Sequence, residues 1–193
     1  MDEVFADYPL APKAGAVQVV AAGPSPALTF SLGGLSKGSG LPQLKLGWIA
    51  ATGPEVLVAS AIERLALILD TYLSVGTPVQ LGLGRVLELG SEVRQRIHAR
   101  VRGNRALVAD RVGPGSPCTL LPTEGGWSAI LRLPAVLTDE EWAVRFAEED
   151  GVLVSPGYFY DLDLGASVVL GLLPDPAVFS AAVARLLTRA AAA

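Results

Sequence analysis

The segment from Ser31 to Trp48 reads SLGGLSKGSGLPQLKLGW, and it places Lys37 inside a glycine-rich turn. One short apolar run, Leu28 to Leu32, leads into the turn, and a second, Leu46 to Ala51, follows it. Short apolar runs bounded by turn residues predict buried strands. Glycines let backbone amides approach an anion closely. A second cation, Lys45, stands eight residues further on, where the later strand begins.

The lysine pair of this turn suggests two complementary roles. A lysine amine forms Schiff bases with carbonyl compounds where its surroundings favour the neutral form. A second lysine nearby can neutralise a phosphate. The residues alone leave a plainer alternative open, in which the turn is a glycine-rich surface loop with a solvated lysine.

Helix and strand patterns continue on both sides of this turn. Strands are predicted at Val17–Ala21, Trp127–Leu133, Val152–Val154 and Ser167–Leu172, and helices after Pro54, over Pro78–Val112, from Thr138 to Asp150 and after Pro176. The pair Thr138 and Glu141 is a capping-box pattern. This order predicts an early βα part and a later mixed α+β part, divided near residue 90 within the long helix. The end, Ala190 to Ala193, is expected to fray.

The composition excludes several function classes. The 193 residues are 51% hydrophobic and 18% charged, so the chain is not intrinsically disordered. Its 15 Lys and Arg against 19 Asp and Glu give a net charge of −4, which argues against nucleic acid or an acidic membrane as partner. One cysteine, Cys118, excludes an internal disulfide framework and suits a reducing compartment. The acidic start and the short apolar runs predict a soluble cytoplasmic protein.

The lysine segment resembles the lysine motif of the class I/II pyridoxal-phosphate-dependent aminotransferases, the fold-type-I group. Their pattern is roughly S-K-x-x-x-x-P-G-x-R-x-G. The chain matches it with Ser36-Lys37, Pro42 and Gly47, but has Gln43 in place of the usual Gly and Lys45 in place of the usual Arg.

Three further segments resemble the same family, in the same order. Asp2–Phe5 (DEVF) is similar to its D-E-V-Y strand end, and Glu124–Trp127 (EGGW) to its E-G-G-F/Y strand opening. Gly151–Phe159 (GVLVSPGYF) is similar to its G-V-x-V-x-P-G-x-x-F segment. Together these pieces extend over nearly the whole chain.

The resemblance implies a role for each matching residue. Lys37 holds pyridoxal 5′-phosphate as a Schiff base and, once freed by substrate, relays the proton between the substrate Cα and C4′ of the cofactor. Asp2 pairs with the pyridinium nitrogen and keeps the ring an electron sink. Phe5 replaces the usual Tyr, so the hydrogen bond to the phenolic oxygen is missing. Ser36 and Lys45 contact the phosphate, where Lys45 lacks the bidentate grip of arginine. If the family resemblance is set aside, Asp2 and Phe5 are typical of the end of an ordinary strand.

The expected substrate contacts depart from the family. Val169 falls where the family has the arginine that binds the α-carboxylate, so no salt bridge to a carboxylate can form there. Either another group binds the carboxylate or the substrate is not an ordinary α-amino acid. Arg132 is a conceivable substitute, although a solvated strand residue is the simpler interpretation. Tyr158 follows a Pro-Gly turn that the family places near the substrate.

The resemblance also implies the architecture and the partners. Residues 1–90 correspond to the C-terminal part of the large, mixed-sheet cofactor domain, and residues 91–193 to the small α+β domain of the aspartate-aminotransferase-like fold. Amino acids and 2-oxo acids are the implied substrates, a homodimer is the implied assembly, and no metal is expected. Family members are much longer, so the chain is expected to be a fragment that binds cofactor weakly on its own and tends to associate.

Two other function classes remain open. Gly34-Leu35-Ser36-Lys37-Gly38 also fits G-x-S-x-G, the nucleophile elbow of serine hydrolases. That elbow needs a helix directly after Ser36, where glycines and Pro42 follow instead, and the sole histidine is His98, inside a charged helical run. The second alternative is a non-catalytic remnant, or one half of a split enzyme, that binds a partner.

Overall fold

A computed structural model describes residues 1–11 and 25–193 of the chain. The strand predicted at Val17–Ala21 lies outside the described residues. The chain divides into two compact units, an N-terminal unit, Met1–Arg96, and a C-terminal unit, Ile97–Ala193. The assignment of residues 1–90 and 91–193 to a cofactor domain and a small domain stays a prediction.

The N-terminal unit is built on an antiparallel hairpin that carries the lysine turn. Strand β1 (Thr29–Gly34) pairs with β2 (Gly47–Thr52), in a register that runs from Thr29 opposite Thr52 to Gly34 opposite Gly47. Between the strands lie a one-turn helix, α1 (Leu35–Gly38), and a 3₁₀ turn, Pro42–Leu44. The N-terminal segment adds a parallel bridge from Asp2 to Leu32 of β1. The two strands predicted around the lysine are therefore confirmed, but the prediction that they are buried is wrong, because most of their residues are half-buried or exposed.

One whole helix and the first part of a longer helix complete this unit, which ends at Arg96. Helix α2 (Glu55–Asp70) begins directly after Pro54, and α3 (Thr77–Arg111) follows it. Ala61 is the buried residue of α2, whereas many of its larger apolar side chains are exposed. These exposed side chains are Val56, Leu57, Ile62, Leu67, Ile68 and Leu69. An apolar surface of this kind is typical of an interaction surface, and the association of this chain stays a prediction.

The C-terminal unit consists of an antiparallel sheet, the last part of α3 and two further helices. Its strands are β3 (Thr119–Leu120), β4 (Ser128–Arg132), β5 (Ser155–Pro156) and β6 (Ser167–Gly171), in the order β3-β4-β6-β5. The helices are α4 (Asp139–Asp150) and α5 (Pro176–Ala191). Trp142 and Phe146 of α4 are fully buried, and their rings stack with centroids 5.3 Å apart.

Two local expectations are wrong. Val152–Val154 lies outside the sheet, and the strand begins later, at Ser155. The reason is that the Val152 amide donates to the carbonyl of Phe146 at 2.9 Å and so caps α4 instead of joining a strand. The alanine-rich end does not fray at Ala190, which is buried in α5. Arg189 tethers this last turn through hydrogen bonds of 2.9 and 3.0 Å to the carboxylate of Asp150.

Within residues 1–11 and 25–193, no helix combines the length and the apolar character that crossing a membrane requires.

The capping box predicted at the start of α4 is confirmed, and it gives this helix a pH dependence. The carboxylate of Glu141 accepts hydrogen bonds from the amide (2.8 Å) and hydroxyl (3.0 Å) of Thr138, and these bonds lower the pKa of Glu141 below its usual 4.5. A carboxyl with a lower pKa in the folded chain adds stability that is complete above the unfolded pKa and is lost as the pH falls through the folded pKa. We expect the melting temperature to fall on acidification below pH 4.5, measured by circular dichroism.

A pair of glutamine variants tests this pH effect. Glu141→Gln cannot titrate, so its melting temperature should fall less on acidification than that of the wild type. Glu140→Gln is the matched control, because its carboxylate is next in sequence and forms no part of the capping box. Parallel acid profiles for Glu141→Gln and the wild type would contradict the role of the cap.

Candidate functional site

The lysine turn is closed by backbone hydrogen bonds. The Leu35 amide donates to the carbonyl of Leu46 at 3.0 Å, which ties the start of α1 to the start of β2. The amides of Ser39 and Leu41 both donate to the carbonyl of Leu35 at 3.1 Å. A Cβ on Gly34 would lie 3.2 Å from the Leu46 carbonyl oxygen, so the glycine permits this close approach. Lys37 thus stands on a defined turn, and it is partly buried.

The N-terminal segment lies beside this lysine. The Nζ of Lys37 is 5.8 Å from the centroid of the Phe5 ring, which is close enough for a cation–π contact. Asp2 lies three residues before Phe5 and pairs with β1 at Leu32. The Asp2 side chain is exposed, and its Oδ1 accepts a hydrogen bond from the Val4 amide at 3.1 Å. The structure therefore brings Lys37 and Phe5 together, with Asp2 on the segment that carries Phe5.

Ser36 and Lys45 flank the hydrogen bond that closes the turn. Ser36 follows Leu35 and Lys45 precedes Leu46, so the closing bond brings these two neighbours to the same end of the hairpin. Lys45 is exposed and has a left-handed backbone, with φ 53° and ψ 35°. Non-glycine residues adopt this conformation rarely, and such residues are enriched at ligand sites.

The geometry around Ser36 does not support a hydrolase elbow. Helix α1 ends at Gly38, only two residues after Ser36. A nucleophile elbow places its serine at the start of a long helix, on a sharp turn after a strand. The one-turn helix found here lacks that support.

The support for α1 includes residues to which the sequence analysis gave no role. The hydroxyl of Tyr8 donates to the carbonyl of Lys37 at 2.6 Å, and Tyr8 is fully buried. Arg94 of α3 places Nη1 3.4 Å from the carbonyl of Gly38 and 3.3 Å from Oδ2 of Asp7. Burial raises the pKa of the Tyr8 hydroxyl, the charge of Arg94 acts against that rise, and Asp7 adds to it. No local pattern could have shown these contacts, because they join residues 29 to 87 positions apart.

Gly90 of α3 lets that helix lie against α1. A Cβ on Gly90 would lie 2.6 Å from the Cβ of Ser39 and 3.2 Å from its Cα, and Ser39 is buried. Alanine at this position must therefore push α1 away. We expect Gly90→Ala to lower the free energy of unfolding by about 1–3 kcal/mol, the usual range for overpacking, as measured by urea denaturation.

Gly84 is the matched control on the same helix. A Cβ there meets nothing within 4 Å, so Gly84→Ala should raise stability by about 0.5–1 kcal/mol through the lower entropy of the unfolded chain. If the two variants had the same stability, the close packing of α3 on α1 would be disproved.

In the C-terminal unit, Tyr158 borders an open groove of about 580 Å³. Its amide donates to Oδ2 of Asp139 at 2.7 Å, and its ring meets Phe159 edge-on at 4.7 Å. Partial burial, together with the charges of Glu140 and Asp139, raises the pKa of the Tyr158 hydroxyl. The side chain is half exposed and accessible from the groove.

Val169, which replaces the carboxylate-binding arginine of the family, and its conceivable substitute Arg132 lie on neighbouring strands. Val169 is in β6, opposite Ile130 of β4 and Ser155 of β5, and it carries no charge to offer a carboxylate. Arg132 is at the end of β4 and is exposed, in agreement with its interpretation as a solvated strand residue.

Other chemically active groups show no site of their own. Cys118 is buried, and burial raises the pKa of its thiol, which disfavours the reactive thiolate. Across the described part of the chain, no three His, Cys, Asp or Glu side chains are placed so that they could hold a metal ion.

Comparison with known proteins shows that this chain is similar to one group of enzymes. No protein-family model matches the chain. A probable aminotransferase of Arabidopsis thaliana is 26% identical over 185 residues, covering 88% of this chain and 38% of that protein. The chain therefore spans well under half the length of this relative.

Solved structures show the same fold. Tyrosine aminotransferase from Leishmania infantum superposes with a TM-score of 0.80 at 19% identity, covering 99% of this chain and 47% of that one. A PLP-dependent aminotransferase from Streptococcus suis has a TM-score of 0.74 at 18% identity, covering 97% of this chain and 46% of that one. The resemblance seen in the motifs is confirmed, and the chain has the fold of the aspartate-aminotransferase-like, PLP-dependent transferases over about half of their length.

Proposed function

We propose that this chain forms part of a pyridoxal-phosphate-dependent aminotransferase that transfers an amino group between an amino acid and a 2-oxo acid. The observation that carries the proposal is the placement of Lys37. It stands on a one-turn helix between two strands, partly buried, with its amine 5.8 Å from the Phe5 ring centroid. The aminotransferase fold and the similarity to a probable aminotransferase support the same function.

The residues around Lys37 suit this cofactor. Three chemical features of pyridoxal phosphate need partners, namely its aldehyde, its ring nitrogen and its phosphate. The N-terminal unit offers an amine on Lys37, a carboxylate on Asp2, and the hydroxyl of Ser36 with the cation of Lys45 at the closed end of the hairpin. The left-handed backbone of Lys45 adds a conformation that is enriched at ligand sites.

Each residue then has a defined task. The bound cofactor supplies an aldehyde that accepts an amine and a ring that withdraws electrons from the substrate Cα. Lys37 would present its amine to that aldehyde and, when free, would relay a proton from the substrate Cα to the former aldehyde carbon, C4′. Asp2 holds a proton at the ring nitrogen. Ser36 and Lys45 bind the phosphate, and Phe5 provides an aromatic face without a hydroxyl.

The substrate carboxylate needs a group other than Val169. We propose that the half-exposed Tyr158 contributes to substrate binding from its groove, through its hydroxyl. A hydroxyl provides a weaker hold on a carboxylate than arginine does, because it is a single, neutral donor. A homodimer with a cytoplasmic location completes this proposal, and the single cysteine suits that compartment.

A second candidate function is favoured by α2. Its exposed apolar side chains suit a chain that binds a partner half, either as one part of a split enzyme or as a remnant without chemistry of its own. Co-expression with a reading frame that encodes the first half of an aminotransferase separates the two cases. Transamination that appears only in the complex would indicate a split enzyme, and a complex without activity a remnant.

The proposal is tested by adding pyridoxal phosphate, recording the visible absorbance, reducing with borohydride and mapping the labelled peptides. The chain has only three lysines, Lys13, Lys37 and Lys45, so each can be assigned. We expect a visible band and a label concentrated on Lys37. A label spread evenly over the three lysines would contradict the proposed cofactor site in this chain.

A further inference from the structure

The last two main-chain carbonyls of α1, those of Lys37 and Gly38, are bound by side chains from outside the helix. A helix leaves its last carbonyls without intrahelical partners, and a helix of four residues has almost no others. The carbonyl of Leu35 accepts from the amides of Ser39 and Leu41. The carbonyl of Lys37 accepts from the hydroxyl of Tyr8, at 2.6 Å. The lysine thus depends on a residue 29 positions earlier for its backbone position.

We propose that Tyr8 is a positioning residue, whose hydroxyl holds the main chain at Lys37 and thereby keeps the lysine amine beside Phe5. This inference rests on the proposed function, since it assigns Tyr8 a task in presenting the amine of Lys37. Tyr8 also belongs to the segment that carries Phe5, and its amide donates to the Phe5 carbonyl at 2.9 Å. Tyr8 therefore links the main chain at Lys37 to the main chain at Phe5, the residue whose ring faces the lysine amine.

The setting of Tyr8 favours a durable contact. The Tyr8 side chain is fully buried, which limits the competition of water for its hydroxyl, while the bond to the carbonyl of half-buried Lys37 is partly buried. Burial also raises the pKa of the phenol, although Arg94 opposes the rise, so the hydroxyl keeps the proton that it donates. Arg94 makes a longer contact of 3.4 Å, with the carbonyl of the next residue, Gly38. The Tyr8 bond is the shorter of the two, and both bonds are partly buried.

Tyr8→Phe in the full chain removes the hydroxyl and keeps the ring. Hydrogen exchange of the Ser39 and Leu41 amides should become about threefold to tenfold faster, as expected for the loss of one hydrogen bond. Pyridoxal phosphate with borohydride should label Lys37 at least threefold less relative to Lys45. Tyr72→Phe is the matched control, because Tyr72 is exposed in the same unit, and it should change neither measurement.

Each result decides the role of Tyr8. If the Ser39 and Leu41 amides exchange at the same rate in Tyr8→Phe as in the wild type, the Tyr8 hydroxyl does not hold the turn and the proposal is wrong. If exchange becomes faster but the labelling of Lys37 is unchanged, Tyr8 has a structural role only and does not position the amine. If the wild type itself shows no preference for Lys37, the proposed function fails, while the exchange rates still decide whether Tyr8 holds the turn.

A second variant covers the case in which Tyr8→Phe does not fold. Arg94→Gln removes the donor to Gly38 and leaves the Tyr8 hydroxyl in place. Lys37 should then keep its label, because Tyr8 still holds the turn. Loss of the label in Arg94→Gln would transfer the positioning role to Arg94 and overturn its assignment to Tyr8.

Discussion

Replacing Lys37 by arginine is expected to abolish the visible absorbance band and the borohydride label at this position. Arginine keeps the positive charge and the length of the side chain, so the contact with the Phe5 ring and the fold of α1 should survive. Its guanidinium stays protonated under all working conditions, whereas a lysine amine can lose its proton and become a nucleophile. In an assembled enzyme, amino transfer should fall by at least about 10³-fold, since the same amine also moves the proton.

Lys13→Arg is the control for this experiment. Lys13 lies outside the described residues and has no task in the proposed site, so its replacement should leave the band and the label in place. Circular dichroism should show equal folding for both variants. A band of undiminished intensity in Lys37→Arg would show that the cofactor binds elsewhere and would remove the basis of the proposed function.

Truncating Trp142 to alanine is expected to be the most damaging single change in the C-terminal unit. Its side chain is the largest fully buried one, it stacks on Phe146 at 5.3 Å, and its Nε1 donates to the carbonyl of Pro134 at 3.0 Å. Loss of a buried Trp costs about 3–5 kcal/mol because a cavity remains. The gain in helix propensity from alanine is well below 1 kcal/mol and does not offset this loss. Urea denaturation followed by circular dichroism measures the change.

Two further variants separate the causes of this effect. Trp142→Phe retains an aromatic ring but removes the donor to Pro134, so we expect a smaller loss of about 1–3 kcal/mol. Val144→Ala, at an exposed position of the same helix, should change stability by no more than about 0.5 kcal/mol. A Trp142→Ala chain as stable as Val144→Ala would show that α4 does not form the core of this unit.

Elements with local signals were predictable from the residues. The capping box of Thr138 and Glu141 marked the start of α4, because both partners lie within one turn and the pattern reads the same in any tertiary context. Local patterns also predicted the glycine-rich turn between β1 and β2, and the start of α5, where Asp175 is the N-cap. The strand expected at Val152–Val154 failed because its apolar residues alone could not show that the Val152 amide caps α4.

The candidate site was only partly visible in the residues. The family motif pointed to Lys37, Asp2, Phe5, Ser36 and Lys45, and their assignment as cofactor contacts stays a proposal. Nothing in the local pattern pointed to Tyr8, whose segment reads as a plain strand end. The sequence analysis gave no role to Asn104, which is buried and donates to the carbonyls of Leu172 and Pro174 at 3.0 Å.

Local chemistry along the chain was thus sufficient to place the lysine in a closed turn between two strands and to set most helix boundaries. Only the tertiary structure decided what holds that turn, which ends of helices are tethered and which polar groups are buried. The physical reason is sequence separation. The contact between Tyr8 and Lys37 spans 29 positions, that between Arg94 and Gly38 spans 56, and that between Asn104 and Leu172 spans 68. Such contacts form only after the elements have packed, so they leave no periodic trace in the sequence.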